Sequence, residues 1–210
     1  NLYELKSPTD LTLLGRTIDD AVGEAFDKAA VILKLGYPGG PALDKLAQSG
    51  NPDAHQLPRS LLAKESLDFS FSGLKTALLY TVRGKPRVRG KRASFERSAD
   101  DLSDSQRADL AASFQAAAIE TLILKIKRAW DMLLAAGRQP RCLIIGGGVS
   151  ANSLLRQRAM ELGEHRSIEV HLPAFDYCLD NAAMIAGLAH HHFIEGRFDN
   201  LELPAVATSE

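Results

Sequence analysis

The sequence predicts an α/β fold, a mixed sheet flanked by helices, and three observations carry that prediction. Strand-like and helix-like segments alternate along the 210 residues. An apolar β-rich run ends in three glycines, Cys142-Leu-Ile-Ile-Gly-Gly-Gly148, and leads through Asn152 into a helix-compatible stretch. A long amphipathic period runs from about Arg107 to Ala136, preceded by Ser103-x-x-Gln106, the spacing of a capping box.

Taken in order, Leu2–Lys6 and Leu11–Ile18 read as a hairpin joined across Ser7-Pro-Thr-Asp10. Asp19 or Asp20 is expected to cap a helix to about Leu35, with Ala25, Phe26, Ala29, Ala30 and Leu33 on its apolar face. Gly36-Tyr-Pro-Gly-Gly-Pro41 reads as a turn closed to helix, followed by a short helix over Ala42–Gln48. Leu67–Ser72 alternates like a strand, and Leu74–Val82 is helical. Residues 83–100 read as a flexible basic loop, because Arg83 to Arg92 holds six basic residues in ten and no acid. Gly137 ends the long helix. The Cys142 strand, a helix from Asn152, a strand over Ile168–Leu172 and a helix over Asp180–His191 complete the chain.

Composition narrows the function classes. Net charge is -1, from 25 Lys+Arg against 26 Asp+Glu, so the whole chain is not a polycation built for nucleic acid. Two cysteines make no disulfide framework, and Cys142 reads as a small core residue. A reducing, cytoplasmic setting is expected, with no membrane span and no signal peptide. The chain opens on Asn1 rather than methionine and enters a strand at once, so it reads as a piece of a longer protein.

Four segments concentrate chemistry. The glycines Gly146, Gly147 and Gly148 after a buried strand let backbone approach a ligand closely, and a helix opening behind them would offer free N–H groups to phosphate. In Asp19-Asp-Ala-Val-Gly-Glu-Ala-Phe-Asp-Lys28, a helix dipole accounts for acids in the first turn but not for Asp27 within the Ala/Phe stripe. Tyr37-Pro-Gly-Gly-Pro-Ala-Leu-Asp44 admits two readings. One is a plain helix–helix turn with Asp44 exposed; the other is a glycine corner holding a nucleoside while Asp44 accepts from a ribose hydroxyl. Asp180, at a strand-to-helix corner, could cap a helix or ligate a metal ion with partners from elsewhere. His190, His191 and His192 are consecutive, point in different directions on a helix, and cannot converge on one ion. No catalytic side chain is assigned, since no Ser–His or Cys–His nucleophile pair is evident.

The segments IDDAVGEAFDKAA, YPGGPALDKLA, DFSFSGLKTAL, IIGGGVSANSLLR and DNAAMIA, in this order from Leu2 to about Gly196, resemble the TsaD family (also called Gcp). The resemblance implies an actin-like ATPase fold of the sugar kinase and Hsp70 type, two lobes around a nucleotide cleft. It implies transfer of a threonylcarbamoyl group from threonylcarbamoyl-adenylate to the adenosine next to the tRNA anticodon, an acyltransferase activity in tRNA modification. Carried over by motif, Asp27, Gly40, Asp44 and Asn152 would contact the nucleoside. Asp180 would ligate one divalent metal ion, iron or zinc. Partners would be tRNA and pathway proteins of the TsaB and TsaE type, and an adenine nucleotide would serve as substrate or ligand.

The chain departs from the family in one respect. The remaining metal ligands belong to a His-x-x-x-His motif, and no pair among His55, His165, His171, His190, His191 and His192 has that spacing. Residues 1–210 therefore resemble the C-terminal lobe alone, a piece expected to bind metal poorly and not to catalyse transfer by itself. Rival readings are a sugar- or acetate-kinase relative, the metalloprotease implied by the family's older name of O-sialoglycoprotein endopeptidase, and a non-catalytic nucleotide-binding module. The protease reading wants a HExxH-like zinc helix, which the sequence lacks.

Overall fold

The computed structural model describes residues 1–59, 65–89 and 92–204. The hairpin forms as expected: β1 (Leu2–Ser7) pairs antiparallel with β2 (Asp10–Gly15), and the Thr9 amide donates to Ser7 Oγ in the tight turn between them. The first helix, α1 (Val22–Leu33), starts later than the acids expected to cap it, and its N-cap Ala21 offers no side-chain bond. Asp19 is drawn elsewhere. It accepts from the amides of Phe71 (2.8 Å) and Ser72 (3.3 Å), from Ser72 Oγ (2.7 Å) and from Ser70 Oγ. Asp20 accepts from Lys28 and Lys75, each at 2.6 Å. Charge-assisted bonds to a distant segment outcompete a cap at the adjacent helix end.

The stretch expected to exclude helix contains the start of one. In α2 (Gly39–Ala47), Gly39, Gly40 and Pro41 form the first turn, where a proline sacrifices no hydrogen bond because those N–H groups lack intrahelical partners. Leu67–Ser72 is not a strand. Phe69 alone makes an isolated parallel bridge to Thr17, and α3 (Ser72–Arg83) begins immediately after. Within the expected basic loop, β3 (Arg87–Arg89) pairs antiparallel with β4 (Arg92–Ser94); residues 90 and 91 lie outside the described residues. The base of this ribbon is tied down by Arg97, which donates to the carbonyls of Tyr80 and Thr81 at the C-terminal end of α3.

The long helix α4 (Asp104–Ala135) carries the predicted capping box, with Ser103 and Gln106 each accepting the other's amide N–H at 3.2 and 2.9 Å. It is the spine of the core. Phe114 meets Phe26 of α1 edge to face at 5.6 Å, and Leu110, Ala111, Ala118 and Ile119 fill the same layer. Lys125 on this helix is buried and donates to the Ser66 carbonyl at 2.5 Å; desolvation, reinforced by Arg128, pushes its ammonium pKa down. Downstream, β5 (Cys142–Ile144) and β6 (Glu169–His171) pair in parallel through α5 (Ser153–Arg166), the crossover that parallel strands require. The last helix is α6 (Ala182–Ile194).

The architecture is mixed α/β, but not with the single mixed sheet expected. Among the described residues the strands form three separate pairs. β1 and β5 border a cavity of about 740 Å³ with Ile126, Ala129, Trp130 and Leu133 of α4, so no ladder joins them. An ion pair between Glu4 and Arg138 links the two sides. Among the described residues no helix is long and apolar enough to cross a membrane.

Candidate functional site

Helix α2 organises the site. Gly40 and Asp44 are one turn apart and therefore share a face. Toward α1, the Gly40 amide donates to Asp27 Oδ1 at 3.2 Å. This contact depends on Gly39, where an added Cβ would sit 2.8 Å from both Asp27 Oδ1 and the Ala30 methyl. Glycine thus lets the start of α2 rest directly on α1. Asp27 itself is exposed, so its second oxygen is open to an incoming donor.

Toward α5, Asp44 accepts from Ser153 Oγ (2.7 Å), the Ser153 amide (3.2 Å) and Asn152 Nδ2 (3.2 Å). Asn152 is the N-cap of α5, its Oδ1 accepting from the Leu155 amide at 2.9 Å. Its Nδ2 also donates to Gln115 Oε1 of α4 at 2.9 Å. All four residues singled out for the nucleoside are thus brought together through α2, as the pairs Asp27–Gly40 and Asp44–Asn152. Sequence reasoning missed Ser153 and Gln115. A signal for Gln115 existed, because it is a polar residue on the buried Ala108–Ala111–Ala118 stripe of α4.

The glycine turn behaves differently from its expectation. α5 does not open behind the glycines with free N–H groups. A 3₁₀ turn over Gly148–Ala151 intervenes, and the N-terminal amides of Ser153 and Leu155 already serve the carboxylate of Asp44 and the cap of Asn152. The anion favoured at this helix end is Asp44. Gly147 holds φ at +86°, a conformation that suits glycine, and both Gly146 and Gly147 face open space. Beneath them Ser150 is buried. Its hydroxyl has no hydrogen-bond partner among the described residues, and Ser150 lines a cavity of about 350 Å³ with Gly146 and Val149. Arg156 of α5 ties this turn to the next segment. Its guanidinium donates to the carbonyls of Ser150 (2.7 Å) and Pro173 (2.5 Å) and lies over the Phe175 ring at 4.2 Å.

That segment leads to Asp180, which is exposed and does not cap α6. The cap is the next residue, Asn181, whose Oδ1 accepts from the Met184 amide at 3.0 Å. Among the described residues no group of three or more His, Cys, Asp or Glu side chains could hold a metal ion. The rings of His190 and His191 meet each other edge to face, 5.9 Å apart. These residues alone do not fit a metal centre: Asp180 supplies one carboxylate, and a divalent ion needs several donors.

The comparisons with known proteins agree on one family. The model for TsaD, tRNA N6-adenosine threonylcarbamoyltransferase, matches residues 1–187. Among curated relatives bearing that name, the protein of Thermosipho africanus is 41% identical over 202 residues, covering 96% of this chain and 55% of the relative. That of Moorella thermoacetica is 42% identical over 206 residues, covering 98% and 55%. That of Thermomicrobium roseum is 47% identical over 208 residues, covering 96% and 54%. The chain spans about half the length of the curated relatives it matches.

Proposed function

The chain belongs to the TsaD family of tRNA N6-adenosine threonylcarbamoyltransferases, and from that premise we propose that it forms the nucleoside-facing part of such an enzyme. The observation that carries the reading is the convergence of Asp27, Gly40, Asp44 and Asn152 around one face of α2. In this reading the open oxygen of Asp27 and the remaining lone pairs of Asp44 accept from the nucleoside's hydroxyl and amine groups. Gly40 presents bare backbone to it, and Gly146, Gly147 and Gly148 leave room for the phosphate. Membership of the family supports assigning this lobe to the actin-like ATPase fold.

The reaction of the whole enzyme is acyl transfer. The exocyclic amine of the tRNA adenosine attacks the carbamoyl carbonyl of threonylcarbamoyl-adenylate, the mixed-anhydride bond to phosphate breaks, and AMP departs with the electron pair. The amine's proton passes to a base that no residue of this chain is assigned. Iron or zinc belongs to the whole enzyme, where Asp180 would be one ligand among several. Because the chain spans about half its relatives' length, transfer is not expected of these 210 residues alone. tRNA and the TsaB- and TsaE-type proteins are the proposed macromolecular partners, with the basic segment from Arg83 to Arg92 meeting tRNA phosphates.

Calorimetry with AMP and ATP tests the nucleoside reading. The expected result is weak binding by the wild-type chain and a clear loss with Asp44→Ala; equal affinity for both proteins would remove Asp44 from the site. Neutralising four of the six basic residues and measuring tRNA binding across salt tests the second contact. An unchanged salt slope would rule it out.

A further inference from the structure

We infer that Gln115, a residue of α4, is a positioning residue that locks the Asn152 amide in the one orientation able to hold Asp44 in the site. The inference rests on the nucleoside reading above. An amide side chain has two N–H donors on one side and an acceptor on the other. The two ends of such a group are distinguished by their partners. Leu155 presents an N–H, so the oxygen of Asn152 must face it; Asp44 presents a carboxylate, so the nitrogen must face that. Gln115 fixes the same sense a third time. Its Oε1 lies 2.9 Å from Asn152 Nδ2, and a flipped Gln115 would set two NH₂ groups against each other.

The environment makes this choice strict. Gln115 is 4% and Asn152 8% exposed, so water is poorly placed to replace a lost partner. Both donors of Asn152 are occupied, one by Asp44 and one by Gln115, and its oxygen caps α5. Asn152 therefore reaches a nucleoside by donation only if it releases one of these partners. Its principal service is to Asp44, whose carboxylate it and Ser153 hold at the mouth of the site. A polar side chain on an otherwise apolar stripe of α4 is the buried end of that chain of bonds.

The experiment separates this role from general stability. Gln115→Met keeps length and removes the acceptor, while Gln115→Glu keeps an acceptor at the same place. In the methionine variant, exchange of the Asn152 side-chain amide protons and of the Leu155 backbone amide, followed by NMR, should accelerate at a temperature where the chain stays folded. In the glutamate variant the Leu155 amide should remain protected. AMP affinity by calorimetry should fall about threefold to tenfold in Gln115→Met, the worth of one uncharged hydrogen bond. The loss should be absent when the same change is made on an Asn152→Ala background, because Gln115 acts through Asn152. Unchanged exchange in the methionine variant, a full further loss on the Asn152→Ala background, or loss of Leu155 protection in the glutamate variant would each overturn the inference. Should the wild-type chain bind no AMP at all, the nucleoside reading fails instead, while the exchange data still decide whether Gln115 orients Asn152.

Discussion

The Asp44 end of the molecule and the Asp180 end present the same sequence signal, an acid near the start of a helix, and the structure resolves them oppositely. Asp44 receives three hydrogen bonds from Asn152 and Ser153 at the start of α5, with buried Leu155 and Gln115 behind them. Asp180 stands exposed before α6, a helix with no buried residue, on which Ile185, Phe193 and Ile194 are each at least 64% exposed. α6 is held at its far end, where Thr9 Oγ1 donates to Glu195 at 2.7 Å. A carboxylate acquires defined geometry when a packed core delivers donors to it. Where no core stands behind it, it stays an exposed carboxylate.

The sharpest way to break this contrast is to cut the core on each side of it. Phe114→Ala removes the ring at the centre of the α1–α4 layer and should cost about 3–5 kcal/mol in urea unfolding. Leu188→Ala on α6 should cost under about 0.5 kcal/mol, since Leu188 is 45% exposed. Comparable losses would mean that α6 is packed in solution and that the contrast is false. Asp19→Ala comes next. It strands the amides of Phe71 and Ser72 and should cost about 2 kcal/mol, read from the same denaturation curves.

Acid supplies a smaller, signed effect. Hydrogen bonds from Lys28 and then Lys75 hold the Asp20 carboxyl below its ordinary value of 3.8. Burial raises the Asp19 pKa, but hydrogen bonds from Ser70, Ser72 and the Phe71 amide outweigh it and leave this group low as well. For a depressed carboxyl the stabilisation is fully present above the unfolded value and disappears as pH falls through the folded one. Wild type should therefore exceed Asp20→Asn by about 1 kcal/mol at pH 7, a figure already reduced for solvent screening of the partly exposed lysines. The two should converge well below pH 3.8. A gap that persists at low pH would locate the effect in packing rather than charge.

How much was legible in the sequence follows the same divide. The capping box of α4, the hairpin and the helix after Asn152 were readable because each is decided by residues within a few positions. The start of α2 was misread because Gly-Gly-Pro looks like a turn in isolation; packing of Gly39 against Asp27 and Ala30 makes it helical. Asp19 looked like a cap because its partners, Ser70, Phe71 and Ser72, lie about fifty residues away. The sequence singles out Asp27, Gly40, Asp44 and Asn152 as candidates but not α2 as the place where they meet. The α5 N-terminus behind the glycines is occupied by Asp44, and nothing local in the sequence says that this carboxylate arrives there.

The smallest effect on stability tests the emptier half of the contrast. Asp180→Ala should change the unfolding free energy by under about 0.5 kcal/mol, because the side chain is exposed and the cap of α6 is Asn181. Asn181→Ala is the matched control and should lower stability by more, up to about 1 kcal/mol if α6 unfolds with the rest of the chain. Capping and ligation thus fall on neighbouring residues and can be varied one at a time. In a full-length family enzyme carrying this sequence, the proposed ligand role predicts that Asp180→Ala loses bound metal and tRNA modification while keeping its melting temperature, and that Asn181→Ala does the reverse. Metal analysis beside a thermal melt reads both. Full metal occupancy in the Asp180 variant would leave this carboxylate with neither role, and the acid at the start of α6 would be no more than a charged surface residue.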